Sequence, residues 1–129
     1  MGQKFARIAA VAILVGSVMA VGPLASAGGG DVIRRGSCSA RSDWKLKLSP
    51  QDGGIEVEFE VDSNVNGQAW RVRIKQDGNR IFSGRRVSRA PSGSFEVRRV
   101  TGDSAGTDHF RARATNLATG EVCVGAASI

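Results

Sequence analysis

The stretch that decides the fold is Gln68-Ala69-Trp70-Arg71-Val72-Arg73-Ile74-Lys75, continued by Gln76-Asp77-Gly78-Asn79 and by Arg80-Ile81-Phe82-Ser83-Gly84-Arg85-Arg86-Val87. In its first half every second residue is apolar. Trp70, Val72 and Ile74 therefore share one face of a strand, and Arg71, Arg73 and Lys75 the other. One face needs a core; the other needs water or an anion. Asp77-Gly78-Asn79 supplies residues that accept positive φ in a tight reversal, and Arg80 starts the return strand.

The same period runs outward in both directions. Trp44-Lys45-Leu46-Lys47-Leu48 alternates, Ser49-Pro50-Gln51-Asp52-Gly53-Gly54 turns the chain, and Ile55-Glu56-Val57-Glu58-Phe59-Glu60-Val61 alternates again. Pairing these runs as a hairpin sets Lys45 and Lys47 across from Glu56, Glu58 and Glu60 on the solvent side. Residues 62–67 read as a loop, 88–93 as a turn, and Ser94-Phe95-Glu96-Val97-Arg98 as a short strand. After a polar, glycine-containing loop at 101–108, His109-Phe110-Arg111-Ala112-Arg113-Ala114-Thr115 alternates. Asn116-Leu117-Ala118-Thr119-Gly120 then turns it into Glu121-Val122-Cys123-Val124. A further short strand is expected from Val32 to Cys38. No helical periodicity follows the first 27 residues. Short strands at regular spacing predict an all-β, antiparallel sandwich of about seven or eight strands over 32–129, a single domain and a monomer.

Residues 1–27 have the form of a secretory signal peptide. Lys4 and Arg7 make a basic start, 8–21 is an apolar run, Gly22-Pro23 breaks it, and Ala25-Ser26-Ala27 is a small-x-small cleavage pattern. Cleavage is expected before Gly28, leaving a flexible start at 28–31 and a secreted, extracellular protein. The apolar run is shorter than the roughly 20 residues that span a bilayer, so no stable membrane insertion is expected after cleavage. The chain carries a formal net charge of +6, which becomes +4 on losing Lys4 and Arg7. That excess favours anionic surfaces without diagnosing nucleic acid. Both cysteines, Cys38 and Cys123, lie in the exported part; in an oxidising compartment they are expected to form one disulfide joining the start of the fold to its last strand. Neither sits in a C-x-x-C pair or beside a histidine, which argues against a redox or metal role.

Several of these residues resemble an immunoglobulin domain of the I-set kind: Phe59 on the second strand, Trp70 on the third, then Asp103-Ser104-Ala105-Gly106, Phe110 and Ala112, followed by Ala114 and Asn116. The resemblance covers nearly all of the chain after residue 27 and implies an immunoglobulin-like β-sandwich anchored by Phe59, Trp70 and Phe110. Two departures accompany it. The inter-sheet cysteine positions of the family fall near Phe59 and Ala112, and Phe110 replaces the corner tyrosine. Ser37-Cys38 followed by Ser42-Asp43-Trp44-Lys45-Leu46-Lys47-Leu48 is also similar to short secreted proteins of GC-rich Gram-positive bacteria, which implies export but no activity.

The immunoglobulin-like order implies one sheet from the 44–61 hairpin and the Phe95 strand, and a second from the Trp70, Phe110 and Val122 strands. On the second, Arg71, Arg73 and Lys75 would face outward beside Arg111 and Arg113, with Arg80, Arg85 or Arg86 on the adjoining edge and no carboxylate among them. The expected function is a non-enzymatic binding or surface-interaction module that docks this face on an anionic cell-envelope polymer or other anionic envelope component, arginine forks suiting phosphate and carboxylate groups. The alternative is protein recognition by the loops at 62–67 and 101–108. Nucleic acid is not an expected partner, because Trp70, Phe95 and Phe110 lie in phase with the core and leave no stacking platform. Catalysis finds no support. The lone His109 and its neighbour Asp108 point to opposite sides of a strand, and the Glu56, Glu58, Glu60 row lies on an open face rather than in a cleft. No metal and no cofactor is expected, since the carboxylates lack calcium-loop spacing and no glycine-rich loop opens a helix.

Overall fold

Two Asp-Gly pairs set the registers of the protein. In this computed structural model, which describes residues 29–129, Asp52 and Gly53 (φ 46° and 79°) and Asp77 and Gly78 (φ 49° and 82°) all occupy the left-handed region. That is the requirement of a two-residue hairpin turn whose twist matches its strands. The first joins β2 (Asp43–Gln51) to β3 (Gly54–Asp62), and the second joins β4 (Ala69–Gln76) to β5 (Asn79–Val87). Around them lie β1 (Val32–Ser37), β6 (Ser94–Gly102), β7 (His109–Asn116) and β8 (Val122–Ser128). The eight strands form two antiparallel sheets of order β1-β2-β3-β6 and β5-β4-β7-β8, packed as a β-sandwich, and no helix occurs among the described residues. The 44–61 hairpin shares its sheet with β6, and β4 shares the other with β7 and β8, the grouping that the immunoglobulin-like order implies. The expected signal peptide, 1–27, and its cleavage before Gly28 lie outside the described residues.

Strand lengths differ from the sequence reading at four places, one of them β8, which runs four residues beyond Val124 to Ser128. β2 continues through Pro50 to Gln51. Pro50 pairs with Ile55 of β3, but the last β1 partner is Val32 opposite Leu48, so the missing N–H meets an unpaired edge. β1 stops at Ser37, one residue before the cysteine, and β6 runs four residues beyond Arg98 to Gly102.

The core is the inner face of both sheets: Leu46, Leu48, Val57, Phe59, Val61, Trp70, Val72, Ile74, Val97, Ala112 and Ala114 are all fully buried, with Phe110 nearly so. Trp70 tilts against Phe95 with ring centroids 5.8 Å apart. Trp44 shares this inner face but sits at the flank and stays half-buried. Its ring fills a slot between Gly36 and Gly125, where a Cβ would lie 2.7 and 2.8 Å from ring atoms. Next to it Cys38 and Cys123 form a disulfide across 85 residues, with Cα atoms 4.3 Å apart. The opposite flank closes differently. A bulge leaves Ile81 without a partner in β4 and turns Phe82 inward, and Arg86 and Arg99, both on inner-facing positions, stack 4.9 Å from its ring centroid.

The chain between the disulfide and β2 is held by one carboxylate. Glu121 accepts the backbone N–H groups of Ala40 (3.0 Å) and Ser42 (2.9 Å) and the Ser42 hydroxyl (2.7 Å). Burial pushes this carboxyl upward, but these donors outweigh it and hold the group below the usual glutamate range. A group held lower in the folded chain stabilises it fully above its unfolded pKa and ceases to do so as pH falls through the folded value. Glu121→Gln is therefore expected to cost about 1 to 2 kcal/mol at neutral pH. In urea titrations the gap between parent and variant should close as pH falls through and below the usual glutamate range; a gap that stays constant would remove the ionised cradle from the account.

Candidate functional site

The two outer faces of the sandwich differ in charge because of register. On the β1-β2-β3-β6 face, Lys45 lies opposite Glu60, Lys47 opposite Glu58, and Arg98 opposite Glu58 from the other side. Arg98 reaches Glu58 at 2.5 Å, Glu96 at 3.2 Å and Glu56 at 3.8 Å, while Lys47 sits 3.5 Å from Glu58 and 3.6 Å from Asp31. The Glu58 and Asp31 carboxylates raise the Lys47 pKa, and the Glu96 hydrogen bond with the Glu58 and Glu56 charges raises that of Arg98. The expected lysine–glutamate interleaving is present, with Glu58 covered between its two cationic neighbours.

The β5-β4-β7-β8 face repeats cations instead. Arg71 pairs with Arg85 on one side and Thr115 on the other; Arg73 lies between Ser83 and Arg113; Lys75 lies between Arg80 and Arg111. Side chains in such rows stand about 5 Å apart across the sheet and about 7 Å apart along it. Arg71, Arg73, Lys75, Arg80, Arg85, Arg111 and Arg113 are all exposed, and none makes an ion pair among the described residues. The expected Arg71, Arg73, Lys75, Arg111 and Arg113 thus share one outer face, and of the three edge candidates Arg85 joins them opposite Arg71 and Arg80 joins them because the bulge at Ile81 restores it to the outer side. Arg86, by contrast, belongs to the inner phase and leaves the face to stack on Phe82. Like charges directly opposite one another destabilise a sheet, and here four cross-strand pairs are like-charged with no carboxylate in their rows.

The loops of the alternative reading are separated by the length of β4. Residues 62–67 meet its first residues: Ser63 donates to the Gly93 carbonyl through both its N–H (3.0 Å) and its hydroxyl (2.9 Å), and Gln68 N–H donates to the Ser88 hydroxyl (3.0 Å). The other loop meets the last residues of β4 and begins at Asp103, since Thr101 and Gly102 end β6. Here the buried Asp108 accepts hydrogen bonds from the Ser104 hydroxyl, the Ser104 N–H (3.2 Å) and Gln76 Nε2 (3.1 Å), and Gln76 Oε1 accepts the Thr101 hydroxyl at 2.6 Å. The Ser104 hydroxyl leads the groups that hold the Asp108 carboxyl down to about 2, and the hydrogen bond and charge of Asp108 raise the Asp103 carboxyl. The two loops therefore cannot act as one surface.

His109 points away from Asp108. Asp108 is fully buried, whereas the exposed His109 ring places Nδ1 2.7 Å from the Ser128 hydroxyl. Among the described residues, no three His, Cys, Asp or Glu side chains gather as a metal site, and no helix is long and apolar enough to cross a membrane. The surface cavities are open. One of about 640 Å³ lies where β5 and β6 flank one another and is lined by mixed charges including Glu60, Arg85, Arg89 and Glu96. No family model, no curated protein and no solved structure matches the chain.

Proposed function

We propose that this chain is a secreted, non-enzymatic binding module with an immunoglobulin-like sandwich, and that it docks the outer face of β5-β4-β7-β8 on an anionic component of the cell envelope. The observation that carries the reading is the in-register stacking of like charges at Arg71–Arg85, Arg73–Arg113, Lys75–Arg80 and Lys75–Arg111 with no carboxylate among them. A face built this way gains free energy from any polyanion that sits over the rows, because each phosphate or carboxylate relieves a repulsion as well as forming a charge-assisted hydrogen bond. The opposite sheet has one like-charged cation pair, Arg35–Lys45, in a row that also holds Glu60, and its Lys47 and Arg98 are ion-paired within the chain, so its demand is smaller. The disulfide and the absence of a membrane-spanning helix among the described residues are compatible with an extracellular place of work.

The test is co-sedimentation of the processed, oxidised protein with envelope fractions of the producing cells across a salt series, beside a variant with Arg71, Arg73, Arg111 and Arg113 changed to glutamate. Binding should fade as salt screens the face. The variant should lose at least about a hundredfold in affinity, near 1 kcal/mol being associated with each basic side chain at an anionic surface. Binding indifferent to both salt and charge reversal, or no binding at all, would overturn the reading.

A further inference from the structure

The cationic face does not end at its last arginine row. One step toward the start of β4 from the Arg85, Arg71, Thr115 row, Ala69 pairs with Val87, and the Leu117 N–H donates to the Ala69 carbonyl at 2.9 Å. The two-residue period of the strands puts Val87, Ala69 and Leu117 on the same side as the arginines. Val87 is 38 % and Leu117 49 % exposed. Val65, 50 % exposed, lies at the same end of the sandwich in the neighbouring loop, its carbonyl accepting the hydroxyl of Ser88 at 2.6 Å. Leu117 also lines a shallow pocket of about 230 Å³ together with Arg71 and Arg85, so aliphatic and guanidinium groups share one depression.

This juxtaposition has a direction. The apolar row leads, and rows of cations follow at about 7 Å and about 14 Å behind it along β4. A dissolved polyanion offers charge but no apolar phase for the leading row. An anionic bilayer offers both: phosphates in the headgroup layer and, about 5 to 10 Å deeper, the boundary of the acyl chains. One weak apolar contact or one basic patch alone holds a protein only marginally at a membrane, whereas the two together suffice. Resting on the reading of this face as an anion-docking surface, we propose that its partner is an anionic lipid bilayer, approached with Val65, Val87 and Leu117 entering the interfacial layer and the arginines meeting lipid phosphates.

All eight strands, the core and the disulfide lie within 32–129, so the test uses residues 28–129 with the disulfide formed. The probes are phosphatidylglycerol vesicles, phosphatidylcholine vesicles and soluble inorganic polyphosphate. The variants are V65S/V87S/L117S, R71E/R73E and L117W, each with a thermal midpoint matching its parent. The parent should sediment with phosphatidylglycerol and not with phosphatidylcholine. The triple serine variant should partition about tenfold less. L117W emission should shift to the blue on phosphatidylglycerol vesicles and stay unshifted with polyphosphate. Vesicle binding that the triple serine variant retains in full, with no L117W shift, would overturn the bilayer inference and leave anion docking in place. So would binding to polyphosphate alone, lost in R71E/R73E. Binding to none of the three probes would overturn the bilayer inference and count against anion docking as well.

Discussion

Replacing Cys38 and Cys123 together by alanine is expected to lower the free energy of unfolding by about 4 to 5 kcal/mol, the value the chain-entropy estimate gives for a loop of this length. The bond spans 85 residues, so its removal releases nearly the whole domain in the unfolded ensemble. It also acts locally. Cys38 stands between β1 and β2, and its neighbour Ser39 trades two hydrogen bonds with Val122, N–H to carbonyl at 2.8 Å and Val122 N–H to the Ser39 hydroxyl at 2.9 Å. Without the bond, β1 and the 38–42 segment are held against β8 by these hydrogen bonds, the Glu121 cradle and the packing of Trp44 between Gly36 and Gly125. A domain of this size has a total stability on the order of 5 to 15 kcal/mol, so the variant should be marginal at physiological temperature. Urea unfolding of oxidised parent and double variant measures the difference; a shift under about 1 kcal/mol would mean that the flank is held by packing alone.

Gly93→Ala is expected to cost about 3 kcal/mol, combining a left-handed backbone penalty with steric overlap. Gly93 has φ 72°, and a Cβ there would overlap the Val65 backbone nitrogen and lie 2.7 and 2.8 Å from the carbonyl carbons of Asn64 and Val65. The obstruction is backbone rather than a flexible side chain, so nothing nearby can rotate away. The same residue's carbonyl receives both Ser63 donors, so displacing it loosens the 62–67 loop as well. Gly78→Ala provides the reference: its φ is 82°, but no atom lies within 4 Å of its would-be Cβ. That change should cost only the backbone part, about 1 to 2 kcal/mol. Equal losses in the two variants, read from urea midpoints, would show that the close approach at Gly93 carries no energy of its own.

How much was legible beforehand depended on how different the two faces of each strand are. β2, β3, β4 and β7 alternate apolar and charged residues because one side meets the core and the other meets water; the hairpin partners followed from the Asp-Gly turns, whereas the grouping of β3 with β6 and of β4 with β7 came from the immunoglobulin-like order. β5 was less legible. Gly84 lies against Phe82, where a Cβ would come 2.9 Å from the ring, and Arg86 occupies an inner position that it escapes only because β5 is an edge strand. The end of β6 misleads for the same reason: Arg99 shares the inner side with Val57's partner position, while Val100 is 61 % exposed. In the candidate site the phase of the β4 and β7 cations could be read, but not that of the β5 arginines, which the bulge at Ile81 resets, nor which cation would stand beside which, since that follows from cross-strand register. The apolar row was hidden because Leu117 belongs to a turn in sequence and joins Ala69 and Val87 only through one backbone hydrogen bond. Glu121 gave no local sign either, its three donors lying about eighty positions away along the chain.

The two flanks of the sandwich have a further consequence. One is sewn shut by a covalent bond and an indole wedged between two glycines; the other is held by two guanidinium groups resting on a single benzene ring. The protein is hinged like a book, with its spine at β1 and β8 and its fore-edge at β5 and β6. Small excursions from the native state therefore open at the fore-edge, letting water reach the Phe82 side of the core while the spine keeps the sheets in alignment and returns them to the same closed page. Because β5 carries Arg80 and Arg85, such breathing also moves one margin of the cationic face, and a ligand that grips that face ties the loose cover to the fixed pages beneath it.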